Sequence, residues 1–182
     1  KTTVFLFAGR LLEDKGILVF RDAAEIIKKK YHNVEFQVLG FVDQSNPNSI
    51  EYEKLLEWQK QNIIRYLGET TDVRPYLANC DCLVFPSFYR EGVSRILMEA
   101  SAMERPIITT DNVGCREVVD NGINGFVIPI KDIKSLAAAI EEFLLMNKEN
   151  REIMGKAGRR KMEREFDETL VLNVYDQAVE RY

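Results

Sequence analysis

The sequence predicts an α/β fold, a Rossmann-like, doubly wound, six-stranded parallel sheet with helices on both faces. Two observations carry this. Strand-length apolar runs are continuous rather than alternating, as expected for strands covered on both faces, and each is followed by a stretch of helical period. Right-handed crossovers then wind the chain both ways from the sheet centre. The 182 residues suit one such domain, or a domain plus a tail.

The elements follow in order. "TVFLFAG" (3–9) is a buried strand, and a helix runs from about 16 to 30 with Val19, Ala23, Ile26 and Ile27 on one face. "VEFQVLG" (34–40) is the second strand, and "QSNPNS" (44–49) is a loop. A helix over 50–61 leads into the third strand, "IIRYLG" (63–68), and a short helix over 73–79 into the fourth, "CLVFP" (82–86). The stretch "FYREGVSRILMEASAMERPII" (88–108) holds the next helix and opens the fifth strand, "PIITT" (106–110). A short helix is expected at 115–119, the sixth strand at "GFVIP" (125–129), and further helices over 133–146, 148–164 and 167–182.

Composition narrows the function classes. Lys plus Arg number 25 and Asp plus Glu 29, a net charge of -4, which argues against a nucleic-acid binder. Three cysteines, Cys80, Cys82 and Cys115, lack metal-ligand spacing and read as buried reduced thiols of a cytosolic protein. No apolar run approaches the roughly 20 residues of a membrane span, and no signal peptide is evident. The chain enters a strand directly after Lys1 and reads as a piece of something longer.

In a doubly wound sheet, ligands bind outside the carboxyl ends of the strands, beside helix N-termini. "GRLLEDKG" (9–16) follows the first strand, with Gly9 at the turn and Arg10 and Lys15 bracketing the loop. Two readings fit: a diphosphate clamp at a helix N-terminus, or two solvated cations with Lys15 answering Glu13 and Asp14. "PSFYREGVSRILMEA" (86–100) follows the fourth strand. Ile96, Leu97, Ala100 and Met103 share a face with Val93, while Glu91, Arg95 and Glu99 fall on the other side at i, i+4, i+8. The bland reading is an exposed Arg95–Glu99 pair. The functional one gives an anion or hydroxyl the free amides of Gly92, Val93 and Ser94 and gives vicinal hydroxyls a carboxylate acceptor. As one continuous helix, eight residues would rise about 12 Å, too far for a glycosidase acid/base pair at roughly 5 to 9.5 Å. "TTDNVGCREVV" (109–119) would supply a third anion-facing helix start, and the turns of "DNGINGF" (120–126) read as punctuation.

Three motifs in this order, "GRLLEDKG", "PSFYREGVSRILMEASA" and "DNVGCREVVDNGINGFVIP", make the chain resemble the donor-binding, C-terminal domain of retaining GT-B glycosyltransferases, the large group 4 (glycosyl transferases group 1) family of capsular and O-antigen polysaccharide biosynthesis. The spacing of Glu91 and Glu99 matches that family's acid-x7-acid signature. The resemblance implies that Arg10 and Lys15 grip the donor diphosphate and that Glu91 bonds hydroxyls of the donor hexose. It implies that amides of Gly92 and Val93 face the sugar or phosphate, those near Ser94 and Arg95 the diphosphate, and that Glu99 holds the ribose hydroxyls. Gly9 belongs to the same site, and the nucleobase would rest around Arg65 to Gly68. The implied donor is a UDP-sugar carrying a hexose or N-acetylhexosamine, transferred with retained configuration and without a metal or other cofactor. The implied acceptor is a sugar or polyprenyl-diphosphate-linked oligosaccharide, held by an N-terminal domain absent here. The implied location is cytoplasmic, peripheral at the inner face of the membrane.

The resemblance divides the chain into a donor-binding domain at 1–164 and a C-terminal helix at 165–182 that would cross back to the absent domain. One departure stands out: family members place a glycine where "SAMERP" places Glu104, so Glu104 is expected at positive φ. Two rivals are a nucleotide-sugar 2-epimerase of related fold, poorly served by the single histidine His32, and a non-catalytic nucleotide-sugar-binding module. His32 reads as a surface connector, Trp58 as partly buried, and the Lys28–Lys30 run as a helix C-terminus favoured by the dipole.

Overall fold

The computed structural model describes residues 2–90, 92–170 and 172. Six strands form one sheet: β1 (Thr3–Ala8), β2 (Val34–Leu39), β3 (Arg65–Tyr66), β4 (Cys82–Phe85), β5 (Ile107–Thr110) and β6 (Gly125–Ile128). Their order is β3-β2-β1-β4-β5-β6, and every pair is parallel. The helices are α1 (Ile17–Lys30), α2 (Tyr52–Lys60), α3 (Arg74–Asn79), α4 (Arg95–Ala102), α5 (Ile133–Leu145) and α6 (Lys148–Glu165), with a 3₁₀ turn at Glu13–Lys15.

The strand period of two fixes the core. Phe5 and Phe7 project to one side, and the register sets Phe36 beside Phe5, with ring centroids 5.2 Å apart. Phe20 of α1 meets Phe7 and Phe36, and Phe143 of α5 meets Phe5, so α1 and α5 share that face. The pair α4 and α6 packs together, and the opposite direction of winding beyond β4 assigns it the other face. Aromatic pairs of this geometry add to their area burial.

Two expected elements change. The third strand shortens to two residues at the sheet edge, where it pairs only with β2. No helix forms over 115–119, which is a run of turns. There the carboxylate of Glu117 accepts the Gly114 N–H at 2.7 Å, and Gly114 has φ 84, so side-chain bonding replaces the helical ladder. Most of the expected crossing helix, residues 171 and 173–182, lies outside the described residues. His32 is exposed, as expected, whereas Trp58 is buried, with Arg21 over its ring.

The turn closing α4 is strained as its sequence predicts. The N–H of Arg105 bonds the carbonyl of Ala100 at 2.9 Å and that of Glu104 bonds Ser101 at 3.1 Å, a Schellman motif with Glu104 in the left-handed position at φ 59. Gly155 of α6 lies against it, where an added Cβ would stand 2.2 Å from the Glu104 carbonyl oxygen. Glu104→Gly should therefore raise the denaturation midpoint by an amount equivalent to about 0.5–1 kcal/mol at unchanged m. Gly155→Ala should lower it by about 1–3 kcal/mol.

All three cysteines are buried, and none is joined in a disulfide. Burial pushes the Cys80 thiol up to about 12 and the Cys82 thiol well above its ordinary value, so neither forms thiolate near neutrality. A thiol-reactive chromophore should label none of the three rapidly in the native protein and all three in guanidinium.

Candidate functional site

The order of winding reverses between β1 and β4, and the loops leaving their carboxyl ends meet there. The carbonyl of Asp14 accepts the N–H of Phe88 at 2.9 Å, the N–H of Tyr89 at 3.1 Å and the hydroxyl of Ser87 at 3.3 Å. Gly16, at φ 85, presses against the β4 loop so closely that a Cβ would lie 2.1 Å from the Pro86 carbonyl oxygen. The loop after β5 joins the same seam. Thr109 Oγ1 donates to Phe85, Thr110 Oγ1 to the Ser87 carbonyl, and Asn112 Nδ2 to the Tyr89 carbonyl at 2.8 Å. On the other side the β2 loop closes in, since a Cβ on Gly40 would meet the Gly9 carbonyl oxygen at 1.8 Å.

Two concavities open on this crevice. One, of about 250 Å³, is lined by Gly9, Arg10, Gly40, Phe41, Glu69 and Ile96, together with Thr70 and Val73. The other, of about 610 Å³, is lined by Asp72, Arg74, Arg95, Glu99 and Met103, again with Thr70 and Val73. The two shared residues make them one cleft running from Arg10 to Glu99. Wider hollows lie elsewhere, one of about 760 Å³ among Asp81, Arg105, Arg151 and Lys156 at the amino ends of the strands. That end has the geometry of a structural rim rather than of a ligand crevice.

The site residues distribute as follows. Gly9, Arg10 and Glu99 line the cleft. Lys15 is only 5% exposed and carries its ammonium 4.6 Å from the Tyr89 ring centroid. Glu99 Oε1 accepts from Arg95 Nε at 3.0 Å, and the Arg95 side chain is 87% exposed. A pair so solvated is weak and easily exchanged. Opposite it, Arg74 grips Asp72 through Nε at 2.8 Å and Nη2 at 2.9 Å. The Arg74 side-chain and backbone hydrogen bonds hold the Asp72 carboxyl below its usual range.

Several expectations shift. Helix α4 begins at Arg95, not before Gly92, so the row from residue 91 to 99 is no continuous helix and its 12 Å rise does not apply. Gly92 and Val93 are exposed in the preceding bend. The Ser94 amide is not available to a ligand, because it donates to the Gly114 carbonyl at 2.9 Å. The amides opening the helix are instead those of Arg95, Ile96 and Leu97. Glu91 lies outside the described residues. At the base end, Gly68 has φ 80 and its carbonyl accepts the Gly40 N–H at 2.8 Å, so it shapes the rim. Arg65 turns away, pairing with Glu35 at 3.2 Å in a separate hollow with Lys28 and His32. The third helix start, after β5, is absent with its helix.

Sequence reasoning missed Phe41, Thr70, Val73 and Ile96 as cleft wall, and Tyr89 and Asn112 as its support. Phe41 is the first side chain past the β2 end and is 42% exposed, an unusual exposure for a phenylalanine beside a crevice. Its position after a strand-end glycine was the one signal available. Among the described residues, no group of three or more His, Cys, Asp or Glu is placed to hold a metal ion, and no helix is long and apolar enough to cross a membrane.

Comparison with known proteins assigns the family. The family described as glycosyl transferases group 1 matches residues 2–146. The chain belongs to this family. It is 33% identical over 166 residues to the capsular polysaccharide biosynthesis glycosyltransferase CapM of Staphylococcus aureus, covering 91% of this chain and 42% of CapM. It is 29% identical over 183 residues to the Campylobacter jejuni N,N'-diacetylbacillosaminyl-diphospho-undecaprenol alpha-1,3-N-acetylgalactosaminyltransferase, covering 98% of this chain and 46% of that enzyme. The chain thus spans less than half the length of these relatives. In structure it resembles Anabaena HepE, solved with UDP, at TM-score 0.86 and 18% identity over all of this chain and 49% of HepE. A Rickettsia africae glycosyltransferase gives TM-score 0.86 and 22% identity over all of this chain and 48% of its own. These likenesses establish the Rossmann-like half of a GT-B fold for this member of the group 1 family.

The seam at Gly16 carries the whole site geometry. Gly16→Ala should lower stability by more than about 2 kcal/mol, combining positive φ with a backbone clash. In thermal melts it should lose more than an alanine at Gly68, where an added Cβ meets nothing within 4 Å.

Proposed function

We propose that this chain binds the donor of a retaining glycosyltransferase, taking a hexose or N-acetylhexosamine from a UDP-sugar. The acceptor is a polysaccharide or a lipid-linked oligosaccharide, held by a further domain. The observation that carries the reading is the cleft from Arg10 to Glu99, with Arg10 and Glu69 in its narrow part, the Arg74–Asp72 and Arg95–Glu99 pairs in its wide part, and an apolar wall of Phe41, Val73 and Ile96. HepE was solved with UDP, and the C. jejuni relative is named for an undecaprenyl-diphosphate acceptor, which support the same donor and acceptor classes.

In this reading the base lies against Phe41 and Val73, beside Glu69 and Thr70. Glu99 exchanges its Arg95 partner for the 2′- and 3′-hydroxyls, since a carboxylate accepts two such bonds. Arg10 and Lys15 receive the diphosphate, and their charge matters most as it departs. Fixed cations aimed at developing negative charge are the largest single contribution in many enzymes. The sugar end falls at the loop carrying Glu91, to which the resemblance assigns the hexose hydroxyls. The acceptor attacks from the face the diphosphate leaves, without a metal or other cofactor. The protein works in the cytoplasm, peripheral at the inner face of the membrane.

Isothermal titration with UDP tests the assignment. Arg10→Ala and Glu99→Gln should each weaken binding by about 1.5–3 kcal/mol, roughly 10- to 150-fold in Kd. Unchanged affinity in both variants, or no UDP binding by the wild-type protein, would overturn it.

A further inference from the structure

We infer that two neighbouring ion pairs set how tightly the cleft takes a nucleoside. Arg95 competes with the ligand's hydroxyls for the Glu99 carboxylate, and Asp72 keeps the other guanidinium, Arg74, off that same carboxylate. The inference rests on the reading of Glu99 as the ribose contact.

All four side chains line the wide part of the cleft. Glu99 accepts a single hydrogen bond from Arg95, Nε to Oε1 at 3.0 Å, between residues four apart on α4. The Glu99 side chain is 32% exposed and that of Arg95 87%, so water and solutes reach this contact. Arg74 is held differently. Its Nε and Nη2 donate to the two carboxylate oxygens of Asp72 at 2.8 and 2.9 Å, and its backbone N–H donates to Asp72 Oδ1 at 3.0 Å. Asp72 is itself fixed by Thr70, whose hydroxyl accepts the Asp72 N–H at 3.1 Å and donates to the Asp72 carbonyl at 3.0 Å. Arg74 nevertheless lies within electrostatic reach of Glu99. The Asp72 hydrogen bond and charge, and more weakly the Glu99 carboxylate across the cleft, push the Arg74 guanidinium above its ordinary value.

The chemistry makes the two guanidiniums unequal. A carboxylate can accept from two vicinal hydroxyls only where its oxygens are not already claimed. The apparent affinity of a ligand falls by the fraction of sites that are free to receive it. Arg95 claims Glu99 through one solvated bond, a weak hold that lowers affinity only a few-fold. A guanidinium that forks onto both oxygens holds a carboxylate more firmly and in one geometry. Arg74 spends that fork on Asp72, which leaves Glu99 to the weaker competitor. Uridine carries no net charge, so salt acts on its binding chiefly through the exposed pair it displaces, and screening weakens that pair.

The test is NMR titration of the full chain with uridine, which lacks the diphosphate, at low and at high salt. Arg95→Met should tighten uridine about two- to fivefold, a gain that damage to the fold would not produce. Raising NaCl from about 0.02 to about 0.5 M should tighten uridine in the wild-type protein and have little effect in Arg95→Met. Asp72→Asn should weaken uridine at least about twofold by releasing Arg74. Adding Arg74→Met to Asp72→Asn should return the affinity to the wild-type value, since the two residues act as a pair. If Arg95→Met leaves uridine unchanged or weakens it, or Arg74→Met fails to reverse the loss, the inference is overturned, and UDP binding by the same protein leaves the donor reading standing. Wild-type protein that binds UDP and no uridine overturns it as well. Protein that binds neither overturns both.

Discussion

One backbone carbonyl holds the site together. That of Asp14 receives two amides and a hydroxyl from the β4 loop, and so clips the two loops that flank the reversal of the sheet. Gly16 makes the approach sterically possible, and the β5 loop adds its threonine and asparagine bonds to the far side. Backbone groups buried in a loop must find partners, and here they find each other across three strand ends. Arg10, Lys15, Tyr89 and the entry to α4 inherit their positions from this seam.

The cleft that results is uneven in its chemistry. Its narrow part is apolar, walled by Phe41, Val73 and Ile96, and its wide part is edged by Arg74, Asp72, Arg95 and Glu99. The exposed ion pairs there contribute little to stability, which leaves them free to exchange partners with a ligand. Lys15 differs: it is a buried cation, and burial of a cation is costly unless its surroundings compensate. The ring of Tyr89 supplies part of that compensation.

Strain in this fold sits away from the cleft as well as beside it. Glu104 completes a Schellman turn that a glycine would close without penalty, and Gly155 of α6 is the neighbour that lets the carbonyl of Glu104 sit there. The departure of the sequence from its family at this turn was legible because the family places a glycine where this chain has Glu104, and that position takes the left-handed conformation that closes α4. The turns at 111–118 were not legible in the same way. Their helix-like spelling loses to the Glu117 carboxylate, which claims the Gly114 amide.

The sequence by itself determined the sheet, its parallel order and the crevice end, because continuous apolar runs alternating with helical period admit few windings. It also marked Gly9, Arg10 and Glu99, which line the cleft, by their places after strand ends. Tertiary structure decided where α4 starts, that the Ser94 amide is spent on Gly114, that Arg65 faces away, and that Phe41, Tyr89 and Asn112 belong to the site. The reason is physical: periodicity reports which face of an element is buried, whereas contacts between loops depend on backbone groups that every residue carries alike.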